Sequence, residues 1–161
     1  MAPAHSSSVL REASGHVWYE IWMLLSVGCA LAGPLLGEGV ARNAFVESFA
    51  LHARSLVGFL FGGKVRPTDL IAADYFDSAA RWAKLRGGMP PELRVIGPRV
   101  RGEIAHLSYE RLAVTAETKG WDVPAIVKAI AGLGDKFAGA VPPDLLHPHW
   151  TQTQAPRPEK T

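Results

Sequence analysis

VARNAFVESFALHARSLVGFLF, residues 40–61, is the stretch whose pattern decides the fold. Phe45, Phe49, Leu56 and Leu60 recur at i, i+4, i+11 and i+15, close to one line down a helix. Val46, Ala50, Ala53 and Val57 widen that line into a face. Asn43, Glu47 and Arg54 form a narrow polar line on another side, with His52 nearby. Gly62-Gly63 offers the backbone freedom of a C-cap. The pattern predicts a long helix at the centre of a helical bundle.

On the N-terminal side, residues 1–14 are small and polar and are expected to form a flexible leader. They lack the basic start and prompt apolar run of a secretory signal. From His16, Val17, Trp18, Ile21, Trp22, Leu24 and Leu25 predict a second apolar helix ending at Gly33-Pro34. Ile21 to Gly37 carries no charge, but these 17 residues include Ser26, Gly28, Gly33 and Pro34. A spanning helix needs about 20 apolar residues, so a core helix is the reading and no stable membrane insertion is expected.

On the C-terminal side, Ser78–Leu85 reads as a short helix ended by Gly87-Gly88. Pro91 to about Leu112 reads as a third main helix that Pro98 kinks or restarts. Asp122 caps a fourth, in which Ala125, Ile126, Ala129, Ile130 and Leu133 follow a 3–4 spacing and Gly132 and Gly134 are weak points. No alternation of apolar and polar residues argues for a sheet. The expected class is all-α: four main helices in a bundle plus one or two short helices. The domain spans residues 15–141, and the proline-rich residues 142–161 form a disordered tail.

The 161 residues, 48% hydrophobic and 20% charged, describe one globular domain. A net charge of +2 does not by itself announce a polyanion partner. Its distribution says more: Arg81 to Arg101 holds six basic residues against Glu92 alone. The lone Cys29 excludes an intrachain disulfide and a CxxC centre. His147-Pro-His149 lacks the further ligands of a metal site, and no phosphate loop, nucleophile elbow or paired-carboxylate signature occurs. No metal and no cofactor are expected.

The candidate site lies in Arg99-Val-Arg-Gly-Glu-Ile-Ala-His106. Four residues separate Arg101 from His106 and six separate Arg99 from it. Both spacings resemble the R-x4–6-H motif of the HEPN families, and the helix count over residues 16–140 is similar to theirs. The resemblance implies a metal-independent, RNA-cleaving or RNA-binding homodimer with His106, Arg101 and Arg99 as catalytic residues. A cytoplasmic location is expected with it.

Histidine titrates near neutrality and can move the proton of a ribose 2′-hydroxyl. Arginine can hold the phosphate through two hydrogen bonds and stabilise its developing charge. In a regular helix residues five apart stand about 140° apart, whereas residues seven apart nearly align. Regular geometry therefore favours Arg99, Glu103 and His106 on one line, and an irregular segment from Pro98 to Gly102 would return the role to Arg101. Arg94 would attract the RNA backbone along with Arg81, Lys84 and Arg86, and Tyr109 or Trp82 would offer a stacking surface.

The competing reading makes Arg99 and Glu103 an ordinary i,i+4 pair and the chain a non-enzymatic helical interaction module. Glu47 and Arg54, seven residues apart, are expected either as a buried polar pair that fixes helix packing or as a group orienting the His106 region.

Overall fold

The computed structural model describes residues 5–34, 36–63, 66–115 and 118–152. The chain is all-α, 73% helical, with no strand among the described residues. The outermost parts of the two expected tails, residues 1–4 and 153–161, lie outside the described residues.

Helix α1 spans Ser7–Ala32 and so begins well before His16. Ser6 caps it, its Oγ accepting from the Val9 amide at 3.4 Å. The extra turns belong to the core, because Leu10 and Ser14 are buried. Helix α2, Val40–Phe61, runs back along α1 and buries Phe49, Ala50, Ala53, Leu56, Phe59 and Leu60. It ends at Gly62 in an extended conformation (φ −71°, ψ 159°) rather than a left-handed cap. Glycine is needed there for space, since a Cβ would strike the Gly58 carbonyl oxygen. Among the described residues α2 is the one helix long and apolar enough to cross a membrane, with a third of its most apolar window buried inside the protein.

A 3-10 turn at Ala72–Tyr75 leads to helix α3, Ala79–Arg86, capped by Ser78 and ended at Gly87 with φ 73°. That positive φ is a conformation glycine adopts without strain. The expected helix from Pro91 to Leu112 is instead broken into pieces. Helix α4, Pro91–Arg94, and helix α5, Ile96–Arg99, pass into a π-helical turn at Val100–Ala105, and the backbone becomes extended at His106. Pro98 lies inside this segment, where it has no amide to donate to the helical ladder. Residues 109–113 then form a separate 3-10 turn.

Helix α6, Val123–Ala140, starts at Asp122, whose Oδ1 accepts from the Ala125 amide at 3.1 Å. Its glycines do not interrupt it. Gly134 is buried where α1 crosses, and a Cβ there would lie 3.0 Å from Ile21 Cδ1. Gly28 mirrors it on α1, with a would-be Cβ 2.8 Å from Val127 Cγ2. Small residues on both helices thus let the backbones approach.

The core lies where α6 packs across the α1–α2 hairpin. Phe137 is its hub, with ring centroids of Tyr75, Phe59, Trp150 and Trp82 at 5.0, 5.2, 5.8 and 5.9 Å. Trp150 belongs to the stretch expected to be a disordered tail. Instead a 3-10 turn at Pro143–Leu145 and helix α7, His149–Gln152, return the chain to α1. Buried Ser14 accepts the His147 amide at 2.7 Å on Oγ, and its carbonyl accepts Trp150 Nε1 at 2.9 Å. Prolines forbid a long helix here but not tertiary contacts.

Candidate functional site

Arg99 emerges at the end of α5, one-fifth exposed, facing the loop before α6. Its Nε and Nη2 donate to the two Glu103 carboxylate oxygens at 2.7 and 2.9 Å. The remaining donors reach the carbonyls of Gly120, Thr118 and Lys119 at 3.0, 3.1 and 3.3 Å. The guanidinium carbon also sits 4.1 Å from the centroid of the Trp121 ring. Such a forked donor set suits arginine and not lysine. Arg99 is therefore a staple that ties the loop at 118–121 to the α5 segment, and all three of its guanidinium nitrogens donate within the protein. Arg99 and Glu103 thus form the i,i+4 pair of the competing reading, with the loop carbonyls beyond it.

Arg101 and His106 behave differently. Both are exposed, and among the described residues neither side chain makes a hydrogen bond or an ion pair. The turn between them is π-helical. Its i→i+5 bonding places residues five apart nearer one side than the 140° of a regular α-turn. This is an irregular backbone of the kind under which Arg101, rather than Arg99, is expected to pair with His106.

Gly102, between Arg101 and Glu103, is buried, and a Cβ on it would collide with the Glu110 carboxylate. Ser108 Oγ donates to the Gly102 carbonyl at 3.0 Å, and Arg111 Nη2 to that of Ile104 at 2.9 Å. The segment after His106 thus folds back to bond the carbonyls that the π-turn leaves without helical partners.

The other expected residues scatter. Tyr109 is 92% exposed at the head of its 3-10 turn. Arg94 is exposed and donates Nε to the Met89 carbonyl at 3.1 Å. Glu47 and Arg54 are both exposed, so they are not the expected buried pair. Seven residues set them about 10 Å apart along the axis, on a side of α2 turned from the core.

Sequence reasoning missed the pair that does join the helices. His52 Nδ1 on α2 and Glu20 Oε2 on α1 lie 2.8 Å apart, at 16% and 30% side-chain exposure. The signal was present: Glu20 is the one charged side chain in its apolar helix from His16 onward.

Glu47 does share a groove with Glu103. A cavity of about 1020 Å³ opens between the C-terminal end of α1, the start of α2, the π-turn and the start of α6. Arg42, Arg111, Lys119 and Trp121 line it with these two glutamates, whereas Arg101 and His106 lie outside it. The His147 and His149 rings meet at a tilt with centroids 4.2 Å apart, and the His147 Nδ1 accepts the His149 amide at 3.3 Å, so this imidazole is engaged in holding α7.

Compared with known proteins, the chain matches no family model, no curated protein and no solved structure.

Proposed function

We propose that the chain is a HEPN-like RNA-binding domain that cleaves RNA through Arg101 and His106. The observation that carries this reading is the π-turn at Val100–Ala105, which contains Arg101 and ends at His106, both exposed and with side chains unpaired among the described residues. In this reading α1, α2, the 91–105 segment and α6 are the four main helices of the bundle.

His106 takes the proton of a ribose 2′-hydroxyl, and that oxygen attacks the adjacent phosphorus as the 5′-oxygen leaves. Arg101 holds the phosphate and stabilises the charge gained on its oxygens. The leaving oxygen needs a proton, and His106 of a second copy is its source, which is why the reading includes a homodimer. The reaction requires no metal, and the reading places the chain in the cytoplasm without stable membrane insertion.

The test is incubation of purified protein with single-stranded RNA in the presence of a chelator. His106→Ala is expected to lower cleavage about 10²–10⁴-fold, the range of a lost general base. Cleavage retained in that variant overturns the assignment.

A second reading, a non-enzymatic interaction module, is favoured by one observation. Leu107, Tyr109 and Leu112 are 94, 92 and 83% exposed within one short segment, apolar surface that suits a protein partner. It predicts no nuclease activity and a partner whose capture depends on Leu107 and Leu112.

A further inference from the structure

Residues far apart in sequence meet at a basic notch between the end of α3, the 88–92 stretch and α6. Its volume is about 600 Å³. Arg86 at the end of α3 forms one edge, and Lys128 and Lys136 on α6 form the other. Glu92 is the only acid among its lining residues, so three cations face one carboxylate. Lys128 and Lys136 are exposed, and neither forms an ion pair among the described residues.

Two features make this more than scattered surface charge. Arg86 is held in place: its guanidinium lies 4.5 Å from the Phe61 ring centroid and donates to the Gly87 carbonyl at 2.8 Å. Between the cations the floor is Gly88, Ala129 and Gly132, and Cβ atoms on the two glycines would meet nothing within 4 Å. A chain can therefore lie against the backbone with cations on both sides. Lys128 and Lys136 stand about 12 Å apart along α6, which suits successive groups of an extended anion better than one small ion.

We propose that this notch binds the phosphodiester backbone of single-stranded RNA, with Arg86, Lys128 and Lys136 each meeting a phosphate. The identity of the ligand rests on the RNA reading of the chain, and the charge geometry stands apart from it. Contacts of this kind hold the strand without reading its sequence. They release counterions on binding, so affinity falls with salt.

The experiment is fluorescence anisotropy of a labelled single-stranded RNA with the full chain carrying His106→Ala, so that cleavage does not interfere. The three notch phosphates contribute about −2 to the slope of log K against log salt, equivalent to roughly a 20-fold loss between 50 and 200 mM. Lys128→Gln with Lys136→Gln should make the slope shallower by about 1.4, equally for uridine-rich and adenine-rich strands. Glu92→Gln should tighten binding.

Unchanged affinity in the double lysine variant, with its helical circular dichroism intact, overturns the site. So does tight, salt-insensitive binding, or poly-glutamate bound as tightly as RNA, which would mark an acidic-protein surface. The two proposals fail separately. A lysine-independent RNA affinity leaves His106-dependent cleavage standing, and cleavage that survives His106→Ala leaves the lysine-dependent binding standing.

Discussion

Arg99→Ala separates a staple from a catalytic arginine. The wild-type side chain makes five hydrogen bonds, two to Glu103 and three to the carbonyls of Thr118, Lys119 and Gly120. It also covers the Trp121 ring at 4.1 Å. Hydrogen bonds involving a charged group contribute roughly 1.5–3 kcal/mol each, but that sum does not apply here. The pair is about one-fifth exposed, and water can replace the lost donors at the loop carbonyls.

A cation over a half-buried ring such as Trp121 adds about 1 kcal/mol. We therefore expect a loss of about 2–3 kcal/mol, mostly from stranding the Glu103 carboxylate and freeing the loop. For a chain of this length that is a fall in Tm of about 4–12 °C. The assay is thermal unfolding by circular dichroism, with hydrogen exchange at the amides of residues 118–122. Arg99→Lys should recover little, because an ammonium cannot reproduce the fork. A Tm within 2 °C of wild type by the scale above, with exchange at 118–122 unchanged, refutes the staple. RNA cleavage lost at unchanged stability would return Arg99 to the catalytic role.

Two other perturbations test the core. Tyr75 is buried, and its hydroxyl donates to the Leu10 carbonyl at 2.8 Å. Burial, with the nearby Asp74, raises its ionisation well above the ordinary tyrosine value. Because the folded chain holds this proton more tightly than the unfolded one, stability is full below about pH 10 and declines as pH rises beyond it. Denaturant melts should show that alkaline loss in the wild type and less of it in Tyr75→Phe; equal pH profiles would contradict it.

Glycine substitutions should take opposite signs at Gly28 of α1, packed against α6, and at Gly132 on the open side of α6. Gly28→Ala forces a Cβ to within 2.8 Å of Val127 Cγ2. Overpacking of about 1–3 kcal/mol there outweighs roughly 1 kcal/mol of helix propensity. Gly132→Ala meets nothing within 4 Å and should stabilise the chain by about 0.5–1 kcal/mol. A higher Tm for Gly28→Ala than for Gly132→Ala would sink the close-approach account.

The sequence by itself determined the long helices α2 and α6. The 3.6-residue period of Phe45, Phe49, Leu56 and Leu60 marks α2, and Asp122 with Ile126 and Ile130 marks α6, because both patterns are local. The basic bias of residues 81–101 is equally local and equally legible.

Tertiary structure alone decided the rest. Residues 7–14 became helix because Leu10 and Ser14 found a core and a returning C-terminal segment to bury them. The segment from Pro91 broke at His106 because Ser108 and Arg111 bonded carbonyls of the π-turn. Arg99 and Arg101 look equivalent in sequence. One faces a carboxylate, three carbonyls and an indole, and the other faces solvent. Lys128 and Lys136 meet Arg86 only because α6 packs beside α3. Periodicity reports which face of a helix is buried, but what stands opposite a side chain is set by elements distant in the chain.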